Sequence, residues 1–387
     1  MRAVHFGGGN IGRGFIGSLL FQSGFETCFI DVNSEIVDQL NDRKQYIVKL
    51  ANRTQDELII QNVHAINSSY HRDEVIEAIV NADLVTTAVG PTILPHIAGL
   101  LAEGVKKRIN TTGKPLNVIA CENMIGGSTF LKEKVYENLE ENEQKDFSKF
   151  VGFLDAAVDR IVPNQVNEDP LTVTVEPFYE WIVDETNIVG DMPFVKGIIF
   201  VDELKPFIER KLFTVNTGHA VAGYFGYIAG VQSIFEALNN EYIKILVEQT
   251  LSETGELLIA KYGFDKNLHD DYVQKIIDRF ANPFIHDDVI RVGRSPIRKL
   301  GAHDRLINPA SQYTVRFGKT PTYLTKGIAA AFHFDYKDDF DARQIQQLIK
   351  QAGIEKAIER YTQLKQESIL SKAISNQYHN LRINRIK

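Results

Sequence analysis

Ala3-Val4-His5-Phe6-Gly7-Gly8-Gly9-Asn10-Ile11-Gly12 decides the fold. A short strand-forming run enters Gly7-x-Gly9-x-x-Gly12, and an apolar-periodic run over residues 11–23 follows. Strand, glycine turn and helix start, in that order, open a parallel α/β sheet that holds a dinucleotide. Glycines let the backbone turn tightly and approach a pyrophosphate. The helix N-terminus points amide donors and a partial positive charge at it. Gly7, Gly8, Gly9, Asn10, Ile11 and Gly12 are therefore the expected cofactor-binding residues.

Further along, a second strand-like run ends on Asp31, 19 residues past Gly12. A carboxylate there accepts hydrogen bonds from ribose hydroxyls and repels a 2′-phosphate, which favours NAD over NADP. Ala88-Val89-Gly90-Pro91 ends a later strand, and Gly90 lets the backbone pass close to the cofactor. Cys121-Glu122-Asn123 ends the next strand. Asn123 is expected in the same crevice, holding the substrate oxygen. Glu122 receives no role. Residues 46–50 and 57–63 alternate and predict an antiparallel hairpin inserted in the sheet. A helix over 34–42 is expected to be capped by Ser34.

The second half changes character. From about residue 201 helical periodicity dominates, with segments at 203–212, 241–262, 271–280, 342–352 and 354–366, the last two separated by Gly353. The expected fold is an α/β N-terminal Rossmann-type domain with a mainly α-helical C-terminal domain. The boundary is set at 1–195 and 196–387. The basic residues 382–387 are expected to fray.

Lys211-Leu212-Phe213-Thr214-Val215-Asn216-Thr217-Gly218-His219 stands out in the second half. On a helix of about 100° per residue, Lys211, Asn216 and His219 fall near about 0°, 140° and 80°. One broad face then presents an amine, an amide and an imidazole, a set able to take a proton from an alcohol. A free lysine has a pKa of about 10.4. Burial and a nearby nicotinamide cation both lower it, toward the range that suits a base at neutral pH.

The 387 residues allow two cores. A net charge of −7 speaks against nucleic-acid binding. Cys28 and Cys121 are too few for a disulfide framework and have no metal-ligand spacing, so no metal is expected. Residues 212–235 lack Asp, Glu, Lys and Arg, yet Asn216, His219 and Gln232 interrupt them. A buried helix in a soluble core is expected rather than a membrane span. The chain opens directly on a strand, and a cytoplasmic enzyme is expected, as monomer or homodimer.

Lys211-x-x-x-x-Asn216-x-x-His219 resembles the signature of the polyol-specific long-chain dehydrogenase/reductase family. Cys121-Glu122-Asn123, Val158-Asp159-Arg160-Ile161-Val162-Pro163 and Trp181-Ile182-Val183-Asp184 extend the resemblance over essentially the whole chain. It implies a metal-independent, NAD-dependent interconversion of D-mannitol 1-phosphate and D-fructose 6-phosphate. It also implies Lys211 as general base, with Asn123, Asn216 and His219 binding and polarising the reacting oxygen. A hexuronate reductase of the same family is the nearest alternative. A non-catalytic NAD-binding redox sensor is the alternative from another class, and a base such as Lys211 speaks against it.

A sugar phosphate needs cations. Arg291, Arg294, Arg298, Lys299 and Arg305 fall close together in an acidic protein. Arg294 and Arg298 are the expected phosphate ligands, with Lys299 next, because arginine offers paired donors to phosphate oxygens. The competing expectation is a set of ion pairs to Asp287, Asp288 and Asp304, or a brace between domains.

Overall fold

A computed structural model describes residues 1–163, 165 and 167–381. The basic stretch 382–387 lies outside the described residues. Two compact units divide the chain, Met1–Phe207 and Ile208–Lys387.

The first unit is built on six parallel strands: β1 (Arg2–Phe6), β2 (Glu26–Asp31), β3 (Val63–Asn67), β4 (Leu84–Thr87), β5 (Leu116–Ala120) and β6 (Val151–Phe153). Their spatial order is 3-2-1-4-5-6, the doubly wound arrangement whose order reverses between β1 and β4. The period of two in β1 explains how the sheet is covered. Val4 and Phe6 join one apolar cluster with Leu101 and Val105 of the helix Leu94–Thr111, whereas Ala3 joins another with Phe15 and Leu19. Each such fully buried side chain contributes about 1.5–3 kcal/mol.

The expected hairpin forms, but outside this sheet. Gln45–Leu50 pairs antiparallel with Glu57–Gln61, and Val173–Val175 adds a parallel third strand. Asn62 adopts a left-handed φ of 55° and breaks the run, so Val63 begins β3 instead of ending the hairpin. The helix Ser34–Arg43 is capped by Asn33, which accepts from the Ile36 N–H. Ser34 Oγ accepts instead from Asn67 Nδ2.

The second unit is helical. Lys205–Arg210, a π-helical turn Lys211–Asn216 and the helix Thr217–Ala229 follow one another without a break. The uncharged run thus becomes a buried central helix, stopped by Gly230 at φ 75°. Gly223 is required by its neighbours, since a Cβ there would stand 2.7 Å from Val292 Cγ1. That contact brings the short helix Val289–Gly293, at the head of the basic segment, onto the central helix. Gly353 separates Phe340–Ala352 from Ile354–Thr362. Among the described residues no helix is long and apolar enough to cross a membrane.

Candidate active site

The glycine turn sits at the carboxyl end of β1. Gly7 has a φ of 106°, and a Cβ on Gly12 would lie 1.9 Å from the Gly7 carbonyl oxygen, so neither position admits a side chain. Gly9, Asn10 and Ile11 are exposed. A Cβ on Gly9 would meet no described atom within 4 Å, which leaves room above the turn for a ligand. The Gly8 N–H donates to Asp31 Oδ2 at 2.6 Å, while Asp31 Oδ1 accepts from Val32 N–H (2.7 Å) and Asn33 N–H (2.9 Å). Asp31 is therefore held rigidly at the end of β2, beside the turn. Gly90, with a φ of 93°, lies beyond β4. This cradle fits a dinucleotide: open space over the glycines and a fixed carboxylate on the adenosine side.

The helix that follows differs from expectation. Gly12–Gly17 is π-helical before Ser18–Gln22 turns α-helical. Arg13 is buried there. Its Nε donates to the Gly8 carbonyl at 2.8 Å, and its Nη1 reaches the carbonyls of Leu171 (2.6 Å) and Pro170 (3.0 Å). Arg13 thus holds the Gly8 carbonyl inward while the Gly8 amide is taken by Asp31. Burial lowers the Arg13 pKa, against Tyr46, Asp169 and Asp31, which raise it. His5, below the turn, is fully buried with Nδ1 2.7 Å from Thr86 Oγ1, and burial lowers its pKa to about 3. It stays neutral at all working pH values.

Glu122 and Asn123 follow β5. Asn123 is exposed. Glu122 is only 5% exposed, and its carboxylate accepts from Thr87 Oγ1 (2.9 Å) and the Val89 N–H (3.0 Å).

In the second unit, Lys211, Leu212, Asn216 and His219 are the only positions between 211 and 222 that are not buried. They form the accessible face of that stretch. The π turn corrects the α-helical angles. The Thr217 N–H bonds to the Leu212 carbonyl five residues back. An i→i+5 turn stacks residues five apart, so Lys211 and Asn216 approach one face instead of standing about 140° apart. His219 Nε2 stands 2.7 Å from Asp287 Oδ2, and its ring stacks on Phe280 with centroids 5.0 Å apart. Arg291 Nε donates to Asp287 Oδ1 at 2.8 Å. Burial pushes the Asp287 carboxyl up, but His219 and Arg291 outweigh it and hold the pKa below the usual range. Arg291 is thus a brace, as the ion-pair expectation had it.

The other cations lie along the helix Pro296–Lys299 and its flanks. Arg294 is exposed and makes no ion pair among the described residues. Arg298 Nη1 lies 3.3 Å from Asp304 Oδ2, and Arg305 Nε donates to Asp304 Oδ1 at 2.7 Å. Lys299 is 4% exposed and donates to the Arg294 carbonyl. Burial, then Arg305 and Arg298, lower its pKa to about 7. The Arg305 carbonyl accepts from Thr217 Oγ1 at 2.6 Å, which fastens the basic segment to the helix that carries Asn216 and His219. Among the described residues no group of three or more His, Cys, Asp or Glu could hold a metal ion.

A doubly wound dinucleotide cradle followed by a helical unit with a lysine, an amide and an imidazole on one face defines a nicotinamide-dependent dehydrogenase class. Residues 1–197 match the mannitol dehydrogenase Rossmann domain and residues 203–382 the mannitol dehydrogenase C-terminal domain. The chain belongs to the mannitol dehydrogenase family. It is 54% identical to a mannitol-1-phosphate 5-dehydrogenase of Geobacillus stearothermophilus, over 99% of this chain and 100% of the relative. It is 52% identical to the mannitol-1-phosphate 5-dehydrogenase of Bacillus subtilis, over 91% and 93%. The fold is shared with Pseudomonas fluorescens mannitol 2-dehydrogenase, solved with NAD and D-mannitol (TM-score 0.76, 17% identity, 100% and 92% covered). It is also shared with a D-sorbitol dehydrogenase (TM-score 0.81, 15% identity, 99% and 93% covered).

Proposed function

We propose that this chain interconverts D-mannitol 1-phosphate and D-fructose 6-phosphate with NAD. The carrying observation is 54% identity along the full length to a mannitol-1-phosphate 5-dehydrogenase. The charge distribution agrees, since Arg294, Arg298 and Lys299 gather cations in a protein of net charge −7.

The glycine turn, Asp31 and Gly90 hold the dinucleotide. NAD, when bound, supplies the acceptor for the hydrogen and electron pair that leave the substrate carbon. Lys211 takes the hydroxyl proton in alcohol oxidation and returns it in ketone reduction. A positioned base of this kind contributes roughly 10²–10⁴-fold. Asn216 donates toward the oxygen on which negative charge develops, and His219, its Nε2 turned to Asp287, orients the sugar chain. Asn123 keeps the part of a second amide donor. Asp287 orients the His219 ring and is itself fixed by Arg291. Arg294 and Arg298 receive the phosphate, with Lys299 behind them.

The reading puts the enzyme in the cytoplasm, acting on a small sugar phosphate, as monomer or homodimer. NADH oxidation should be measured with fructose 6-phosphate, fructose and tagaturonate. Preference for fructose 6-phosphate supports the reading. Preference for tagaturonate makes the enzyme a hexuronate reductase, and no turnover with any of the three leaves an NAD-binding sensor.

A further inference from the structure

Glu122 is a buried carboxylate with neutral company. Thr87 Oγ1 and the Val89 N–H donate to it, and among the described residues no cation pairs with it. Taking a carboxylate out of water without a counter-charge is costly. Burial accordingly raises its pKa, while the bonds from Thr87, Val89 and Gly90 pull it back toward the charged form. The Thr87 hydroxyl and the Val89 amide therefore hold this carboxylate at one place.

That place is informative. In a sheet of order 3-2-1-4-5-6 the dinucleotide lies across the carboxyl ends, with its two halves on either side of the β1–β4 switch. Asp31 at the end of β2 marks the adenosine half. Glu122, directly after β5 and bonded to the exit of β4, lies in the other half, which takes the nicotinamide. The nicotinamide ring carries a positive charge in NAD⁺ and none in NADH.

We propose that the Glu122 carboxylate selects the redox state of the dinucleotide, using the ring of NAD⁺ as its counter-charge. It thereby favours the oxidised over the reduced cofactor, beyond holding the Val89–Gly90 turn in place. This rests on the NAD reading above.

Calorimetric titration of wild type, Glu122→Gln and Thr87→Val with NAD⁺ and with NADH tests it. Glutamine keeps the size and an acceptor oxygen but not the charge. It should raise the Kd for NAD⁺ about tenfold, the scale of one partly buried charge pair, and leave that for NADH within about twofold. Thr87→Val removes a donor that keeps the carboxylate ionised, and should shift the same ratio in the same direction by less. It remains informative if the glutamine variant does not fold. Equal weakening of both nucleotides, or an unchanged ratio in the folded variants, overturns the proposal and leaves Glu122 as a loop anchor. Failure of wild type to bind either nucleotide overturns the NAD reading itself.

Discussion

His219 Nε2 meets Asp287 Oδ2 at 2.7 Å, and the carboxylate on the far side of that contact is 4% exposed and engaged by Arg291. The imidazole is thus held against a buried carboxylate that Arg291 fixes from the other side. Asp287→Asn keeps the shape but removes the charge that fixes the ring. Losing the orientation of the ring should lower kcat by roughly tenfold, equivalent to about 1.4 kcal/mol. The KM for NADH should stay unchanged. Arg291 loses its partner too, so the melting temperature should also drop. Near-wild-type kcat in the folded variant would show that His219 needs no orientation.

Lys211 sits in the π turn beside Asn216 and is the strongest base on that face. Lys211→Ala should leave folding intact. NADH binding should survive as well, because the residues proposed to hold the dinucleotide lie in Met1–Phe207 and Lys211 does not. Turnover should fall about 10²–10⁴-fold, and alcohol oxidation should lose the ascending limb of its pH profile. A folded variant with unchanged turnover and pH profile removes Lys211 from the chemistry.

Much of this was legible because glycine and charge carry geometry with them. Gly7, Gly12 and Asp31 announce a cradle through spacing alone. The uncharged run 212–235 announces a buried helix, and Lys211, Asn216 and His219 turn out to be its accessible face. What was illegible depends on pairing at a distance or on a local bond shift. No residue type signals an i→i+5 turn, so the π turns at Gly12–Gly17 and Lys211–Asn216 read as plain α-helix. Val63, the first residue of β3, reads as the end of the preceding alternation because the positive φ of Asn62 is not visible in the pattern. Arg13 carries no sign in the sequence that the carbonyls of Gly8 and Leu171 close around it. Asp287 becomes the partner of His219 only through the packing of Val289–Gly293 on the central helix.

Lys299 gives a pH dependence with a definite sign. Its folded pKa is lowered from 10.5 to about 7. Below pH 7 the ammonium is charged in both folded and unfolded states, and its burial penalty is fully present. Between pH 7 and 10.5 the unfolded chain binds more protons, so the penalty is relieved and stability rises with pH. Substrate binding should run the other way. From pH 7 to 9 a phosphate monoester is already mostly a dianion, with a second pKa of about 6. Asp304 stays ionised because Arg305 and Arg298 outweigh the burial that raises its pKa. The KM for fructose 6-phosphate should therefore climb several-fold over that range as Lys299 loses its proton. In Lys299→Arg it should stay flat. Identical slopes in the two proteins would take Lys299 out of the phosphate site.

Arg294 and Arg298 divide the remaining phosphate question. Arg298 already shares Asp304 with Arg305, at 3.3 Å, with the guanidinium largely exposed and the carboxylate half-buried. Arg294 has no ion pair among the described residues and can give its whole donor fork to a ligand. Arg294→Ala should therefore raise the KM for fructose 6-phosphate by an amount equivalent to about 1.5–3 kcal/mol, with the melting temperature unchanged. Arg298→Ala should raise it less, because Asp304 competes for that guanidinium in the free enzyme. Activity on unphosphorylated fructose should barely move in either variant, since neither arginine has anything to grip there. If both substrates suffer equally and the melting temperature falls, the segment is a brace that happens to be basic. The sugar phosphate must then be recognised through other residues.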